Sequence, residues 1–120
     1  MIIKLFLKKN HFTNRIHIED LIGIILNIIK IKNFDGIINA TDSFFIDNFE
    51  LIDKLSKKFS LPKPTKISYD DKSINKNIKS FYEVSKKVYS KRLSNDLGYS
   101  LIYPSIDEFL NSLLKKELKL

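Results

Sequence analysis

The 120-residue chain contains no cysteine, which excludes disulfides, thiolate zinc sites and cysteine nucleophiles. Glycine is almost as scarce. Gly23, Gly36 and Gly98 stand far apart, so the G-x-G-x-x-G turn that cradles a dinucleotide pyrophosphate is missing. Long apolar runs are lacking too. The start, "MIIKLFLKKN", holds a short apolar run before a lysine pair, too short for a signal peptide and with no small-residue cleavage site after it. The aliphatic run Leu21 to Ile31 is broken by Asn27 and Lys30 and falls short of the roughly 20 residues that span a bilayer. A soluble cytoplasmic protein without membrane contact is the expectation.

Arginine is the remaining shortage. The net charge is +7, but of 21 basic residues only Arg15 and Arg92 are arginine. Phosphate and base recognition favours the planar guanidinium fork, so a lysine-rich excess argues against nucleic-acid binding. The charge does concentrate between Lys72 and Arg92, where seven basic residues face one acid, Glu83, with Phe81, Tyr82 and Tyr89 among them. That segment is read as a solvated or small-anion-binding stretch.

What is present describes a globular chain: 43% hydrophobic, 29% charged, and long enough for one domain with a core. Ile2 to Leu7 reads as a strand. Asn14 to Ile18 alternates, with Ile16 and Ile18 on one side and Arg15 and His17 on the other, as a half-buried strand does. The period then changes. Leu21, Ile22, Ile24, Ile25, Leu26, Ile28 and Ile29 cover nearly the whole circumference of a helix that Asp20 is placed to cap, and a helix apolar all round needs a partner surface. Asp35-Gly36 makes a turn into a short strand, Ile37 to Ala40. Asp47 or Asn48 caps a second helix with Phe49, Leu51, Ile52, Leu55 and Phe59 in a stripe, ended by "LPKP". Lys66 to Ser80 reads as a polar loop, Val88 to Leu97 as a helix stopped by Gly98, and Ser105 to about Leu118 as a last helix opened by Pro104, with Ile106, Phe109, Leu110, Leu113 and Leu114 on one face. The class is α/β, with few strands and about four helices.

Taken in order, "NRIHIEDL", "GIINATD", "ELIDKLSKKFSLPKP" and "SFYEVSKKVYSKRLSNDLGYSLIYPSIDEFL" resemble the C-terminal part of the NAD-dependent epimerase/dehydratase family, the extended and atypical short-chain dehydrogenases. The likeness is to atypical members carrying "RIHxxD", a later "SFY" and "KRVSNxxLKxELG" followed by "YP", and it spans about Lys9 to Leu114. It implies the C-terminal portion of a Rossmann-type NAD(P)-binding fold with a small helical substrate lobe, residues 1–120 forming a single partial domain. It also implies NAD(P) for the full-length family. This chain alone holds neither the cofactor motif nor the region of the catalytic Tyr-x-x-x-Lys pair. "YEVSK", Tyr82 to Lys86, matches that spacing only in the wrong region. A partner chain supplying the dinucleotide-binding half, or self-association, is implied.

The resemblance also proposes substrate-binding residues. Arg15 either reaches a substrate anion or is a strand-edge charge; the diphosphate-binding Arg of related nucleotide-sugar epimerases falls at Thr13 here. His17 is read as a structural or substrate-lining group, since His11, six residues upstream, lies outside metal-ligand spacing. Asn39 falls in the family's "YNV" strand, Tyr82 in "SFY", and Lys87 and Arg92 in the following "KR" and helix positions. No catalytic, cofactor-binding or metal-binding residue is assigned. The leading expectation is thus a substrate-binding C-terminal fragment, inactive alone. A small basic module for RNA or an acidic partner, and a remnant without function, stand as the other readings.

Overall fold

The computed structural model describes residues 4–7, 10–68 and 70–117. Its elements run β1 (Lys4–Leu7), α1 (Ile18–Lys30), α2 (Asn48–Lys58), β2 (Thr65–Ser68), α3 (Lys76–Glu83), α4 (Lys91–Asn95) and α5 (Ile106–Glu117). The protein is a small mixed α/β chain that divides into two compact units, Met1–Thr13 with Phe45–Lys87 and Asn14–Phe44 with Val88–Leu120. Ile2 and Ile3 of the first expected strand and Leu118 of the last expected helix lie outside the described residues.

In the first unit, β1 and β2 pair in parallel, with Lys4 opposite Thr65 and Leu7 opposite Ser68. α2 lies against β1. Its cap is Asp47, whose Oδ1 accepts the Glu50 N–H at 2.8 Å. β2 and α3 correct the expected Lys66–Ser80 loop. Only Ile67 of β2 is partly covered and only Tyr82 of α3 is buried. β2 shows no apolar alternation, and in α3 the helical spacing of Ile78, Phe81 and Tyr82 is confined to a short stretch set among polar residues. Backbone pairing with β1 and the Asn75 cap, which accepts the Asn77 N–H at 2.8 Å, hold them instead. Residues 10–12 thread through this unit: the Asn48 N–H donates to the His11 carbonyl at 3.3 Å, and the Phe12 N–H donates to Ser85 Oγ at 2.8 Å. The His11 ring is thereby fully buried, with the Phe81 and Tyr82 rings 5.1 and 4.6 Å away.

The second unit overturns two expected strands. Residues 14–17 and 37–40 form no ladder; the Asp42 N–H donates to the Arg15 carbonyl at 2.8 Å and ties the two segments together without making a sheet. Alternation reports a half-buried extended backbone, and pairing needs a neighbouring strand as well. The expected cap of α1 also moves. His17 has extended backbone angles and its Nδ1 accepts the Glu19 N–H at 3.0 Å, so the helix starts at Ile18 and Asp20 sits inside its first turn.

α4 is shorter than the expected Val88–Leu97 helix because side chains hold the backbone before it. The Val88 N–H donates to Asn14 Oδ1 at 2.8 Å, and the Ser90 N–H donates to Ser43 Oγ at 3.1 Å. Beyond α4, Gly98 adopts φ +61°. The Gly98 N–H reaches the Ser94 carbonyl at 3.1 Å, the single bond of an αL closure, and the Tyr99 N–H reaches further back to the Leu93 carbonyl at 2.9 Å. α5 follows Pro104 and buries Leu110, with Ile106, Phe109 and Leu113 partly covered.

Gly98 offers a clean test, because a Cβ there would meet nothing within 4 Å and only the left-handed backbone resists it. Gly98→Ala should cost about 1 kcal/mol, read as a lower urea midpoint at unchanged m-value. A stabilised variant would mean that the turn after α4 is not closed this way.

Candidate functional site

Asp20 is fully buried, and its carboxylate takes three donors from one loop. Oδ1 accepts the Tyr99 hydroxyl at 2.9 Å and the Ile102 N–H at 2.8 Å, while Oδ2 accepts the Tyr103 N–H at 2.9 Å. A buried carboxylate is tolerated when such bonds replace water, and the first turn of a helix adds a favourable dipole. Gly23, one turn further along α1, is needed beside it. A Cβ at Gly23 would run into the Tyr99 hydroxyl and lie 2.9 Å from Tyr99 Cε2. Burial, and then the bond to Asp20, pushes the Tyr99 phenol above its ordinary range.

Pinning residues 99–103 to α1 places the Tyr103 ring on His17. The two rings stack at 3.9 Å and 29°, and Phe109 of α5 approaches the same imidazole at 4.8 Å. Together with Asn14, Arg15, Ile16, Ile18, Asp42, Ser105 and Ile106 they wall a cavity of about 560 Å³. Its volume suits a small organic molecule, and its walls are mainly apolar with a few polar groups, as ligand sites generally are. Because Nδ1 of His17 accepts the helix N–H, the proton of the neutral imidazole sits on Nε2.

The charged wall is held under desolvation. Burial lowers the Arg15 guanidinium from its ordinary range, and Asp42 offsets this only in part. Burial likewise pushes the Asp42 carboxyl up, against the Phe44 N–H, which donates to it at 2.9 Å, and against Arg15; the Asp20 charge adds to the rise.

Of the residues proposed from sequence, the cavity gathers Arg15 and His17. The others have different surroundings. Asn39 is exposed and Tyr82 is buried among aromatic rings. Lys87 Nζ lies 4.3 Å from the Phe12 ring centroid and 5.5 Å from that of Phe45. Arg92 holds the 34–37 turn through the Ile37 carbonyl at 2.9 Å and the Asp35 carbonyl at 3.3 Å, pairs with Asp96, and covers the Phe34 ring. Asp42, Tyr103, Ser105 and Phe109 were not singled out in sequence. Their signals in sequence were the end of "GIINATD" for Asp42, the "YP" motif for Tyr103 and the residue after it, and the apolar face of α5 for Phe109.

Gly23 packs under Tyr99, Gly36 at φ +107° packs under Arg92, and Gly98 closes α4, so no glycine opens a phosphate-cradling turn. Among the described residues no group of three or more His, Cys, Asp or Glu could hold a metal, and no helix is long and apolar enough to cross a membrane.

Two measurements test the site. Asp20→Ala strands three donors and should cost about 3 kcal/mol in urea unfolding, well above the roughly 1 kcal/mol of a lost helix cap. A cost within that smaller figure would refute the clamp. Asp42, with its folded pKa raised, binds a proton more tightly folded than unfolded, so its ionisation weakens the fold above that pKa and the penalty fades as pH falls through it. Asp42→Asn should therefore match or exceed the wild-type stability at neutral pH and lose part of the gain on acidification. A variant weaker at neutral pH with an unaltered pH slope contradicts this.

No protein-family model matches the chain, and no curated protein matches it. Among solved structures it resembles a functionally unknown conserved protein from Silicibacter pomeroyi DSS, with a TM-score of 0.86 at 24% identity. The match covers 95% of this chain and 40% of that one. The likeness is one of fold, and the chain spans about two fifths of that protein's length.

Proposed function

We propose that this chain is the substrate-binding, C-terminal portion of an NAD(P)-dependent epimerase/dehydratase-like oxidoreductase of the short-chain dehydrogenase type, without redox activity of its own. One observation carries the reading. Arg15, Ile16 and His17 of "NRIHIEDL" and Tyr103, Ser105, Ile106 and Phe109 of "YPSIDEFL" wall the same cavity, although the two motifs lie more than 80 residues apart. They are two of the four stretches on which the family resemblance rests.

In this reading the cavity binds and orients a small substrate, with the rings of His17, Tyr103 and Phe109 as its apolar wall and Arg15, Ser105 and His17 Nε2 as donors. The dinucleotide half of a Rossmann-type sheet is contributed from outside the 120 residues and supplies the hydride chemistry. Calorimetry tests this directly. The chain alone should show no saturable binding of NAD(H) or NADP(H) at sub-millimolar ligand. Tight stoichiometric binding would sink the proposal, because a chain that holds the dinucleotide by itself needs no second half to supply it.

A further inference from the structure

One face of α1 is left bare. Ile18, Ile22, Ile25, Leu26 and Ile29 are 61, 51, 48, 51 and 73% exposed, whereas Asp20 and Ile24 on the other side are buried. Steps of three or four residues, from 18 to 22, from 22 to 25 and 26, and from these to 29, set them in a single stripe about 16 Å long with no charge within it. Exposed Glu19 and exposed Lys30 stand at its two ends. Eleven residues apart, they fall about 20° from one another around the axis and so on the same flank of the stripe.

We infer that a second copy of this chain covers the stripe, with the two α1 helices packed antiparallel across a two-fold axis near residues 24 and 25. The charge pattern selects that partner and that direction. A two-fold axis perpendicular to the helices brings matching flanks together with their ends reversed, so each Glu19 meets Lys30 of the other copy. The positive N-terminal end of each helix then also lies beside the negative C-terminal end of its neighbour. A parallel pair would instead gather both Glu19 side chains at one end and both Lys30 side chains at the other. The Tyr103 hydroxyl, 3.4 Å from Glu19 Oε2, lies on the same end of the helix. Ile18 belongs both to the stripe and to the cavity wall, so Ile29 and Lys30 of the second copy would form part of the cavity rim.

The absence of native cysteine makes the register measurable in the whole chain. By light scattering the chain should have about twice its mass of 14.1 kDa, and Ile29→Glu should return it to the single mass with its helical circular dichroism retained. Under mild oxidation Ile25→Cys, beside the axis, should cross-link to itself. Ile29→Cys, its copies about 14 Å apart along the axis, should not, yet it should cross-link to Ile18→Cys when the two are mixed. Glu19→Lys should weaken the dimer by roughly fivefold or more, and the double variant Glu19→Lys/Lys30→Glu should restore it. A monomer at millimolar concentration, whether or not the stripe binds a hydrophobic dye or a different chain, overturns the proposal. Self-linking of Ile29→Cys as efficient as that of Ile25→Cys overturns it as well, and so does a charge reversal that fails to restore the dimer.

Discussion

The carboxylate of Asp20 organises the second unit. It is the buried acceptor on which the Tyr99 hydroxyl and the Ile102 and Tyr103 amides converge, and it ties their loop to α1. Once that loop is fixed, Tyr103 has to stack on His17, and Pro104 starts α5 with Phe109 turned toward the same ring. The bare Cα of Gly23 lets Tyr99 come close, and the left-handed turn at Gly98 delivers Tyr99 to it. Residues from four stretches of sequence thus depend on one side chain.

Periodicity made part of this legible. α1 and α5 each bury part of one side of a helical pattern, α2 leaves its stripe half-buried, and Asp47, Gly98 and Pro104 punctuate the chain by their own backbone chemistry. What depended on tertiary partners could not be read. β2 exists through pairing with β1, and residues 88–90 stay out of α4 because Asn14 and Ser43 bond their amides. Asp20 looked like a cap because acidic residues stabilise helix starts. Its real donors lie some 80 residues away, and no local pattern announces them.

The candidate site shows the same division. Arg15 and His17 stood out because a charge and an imidazole alternated with isoleucines, and the cavity does hold both. Lys87 and Arg92 were proposed from the "KR" and helix positions of the family resemblance, and each is engaged with aromatic rings or carbonyl groups of its own unit. A charge in sequence records only that a cation is present; whether it meets a ligand or a carbonyl is decided by folding. Asp42 and Tyr103 join the wall because the Arg15 carbonyl receives the Asp42 amide and Asp20 receives that of Tyr103. The bare stripe of α1 continues from this wall through Ile18, so the surface that calls for a partner and the cavity that calls for a ligand share a border.

Amide hydrogen exchange at Ile102 and Tyr103 tests the clamp most directly, because both residues lie outside any helix or strand. If Asp20 holds them, these two amides should be as protected as those in the middle of α1, and Asp20→Asn should accelerate both together. Exchange at the pace of an exposed loop, in a chain whose α1 amides remain protected, would contradict the account.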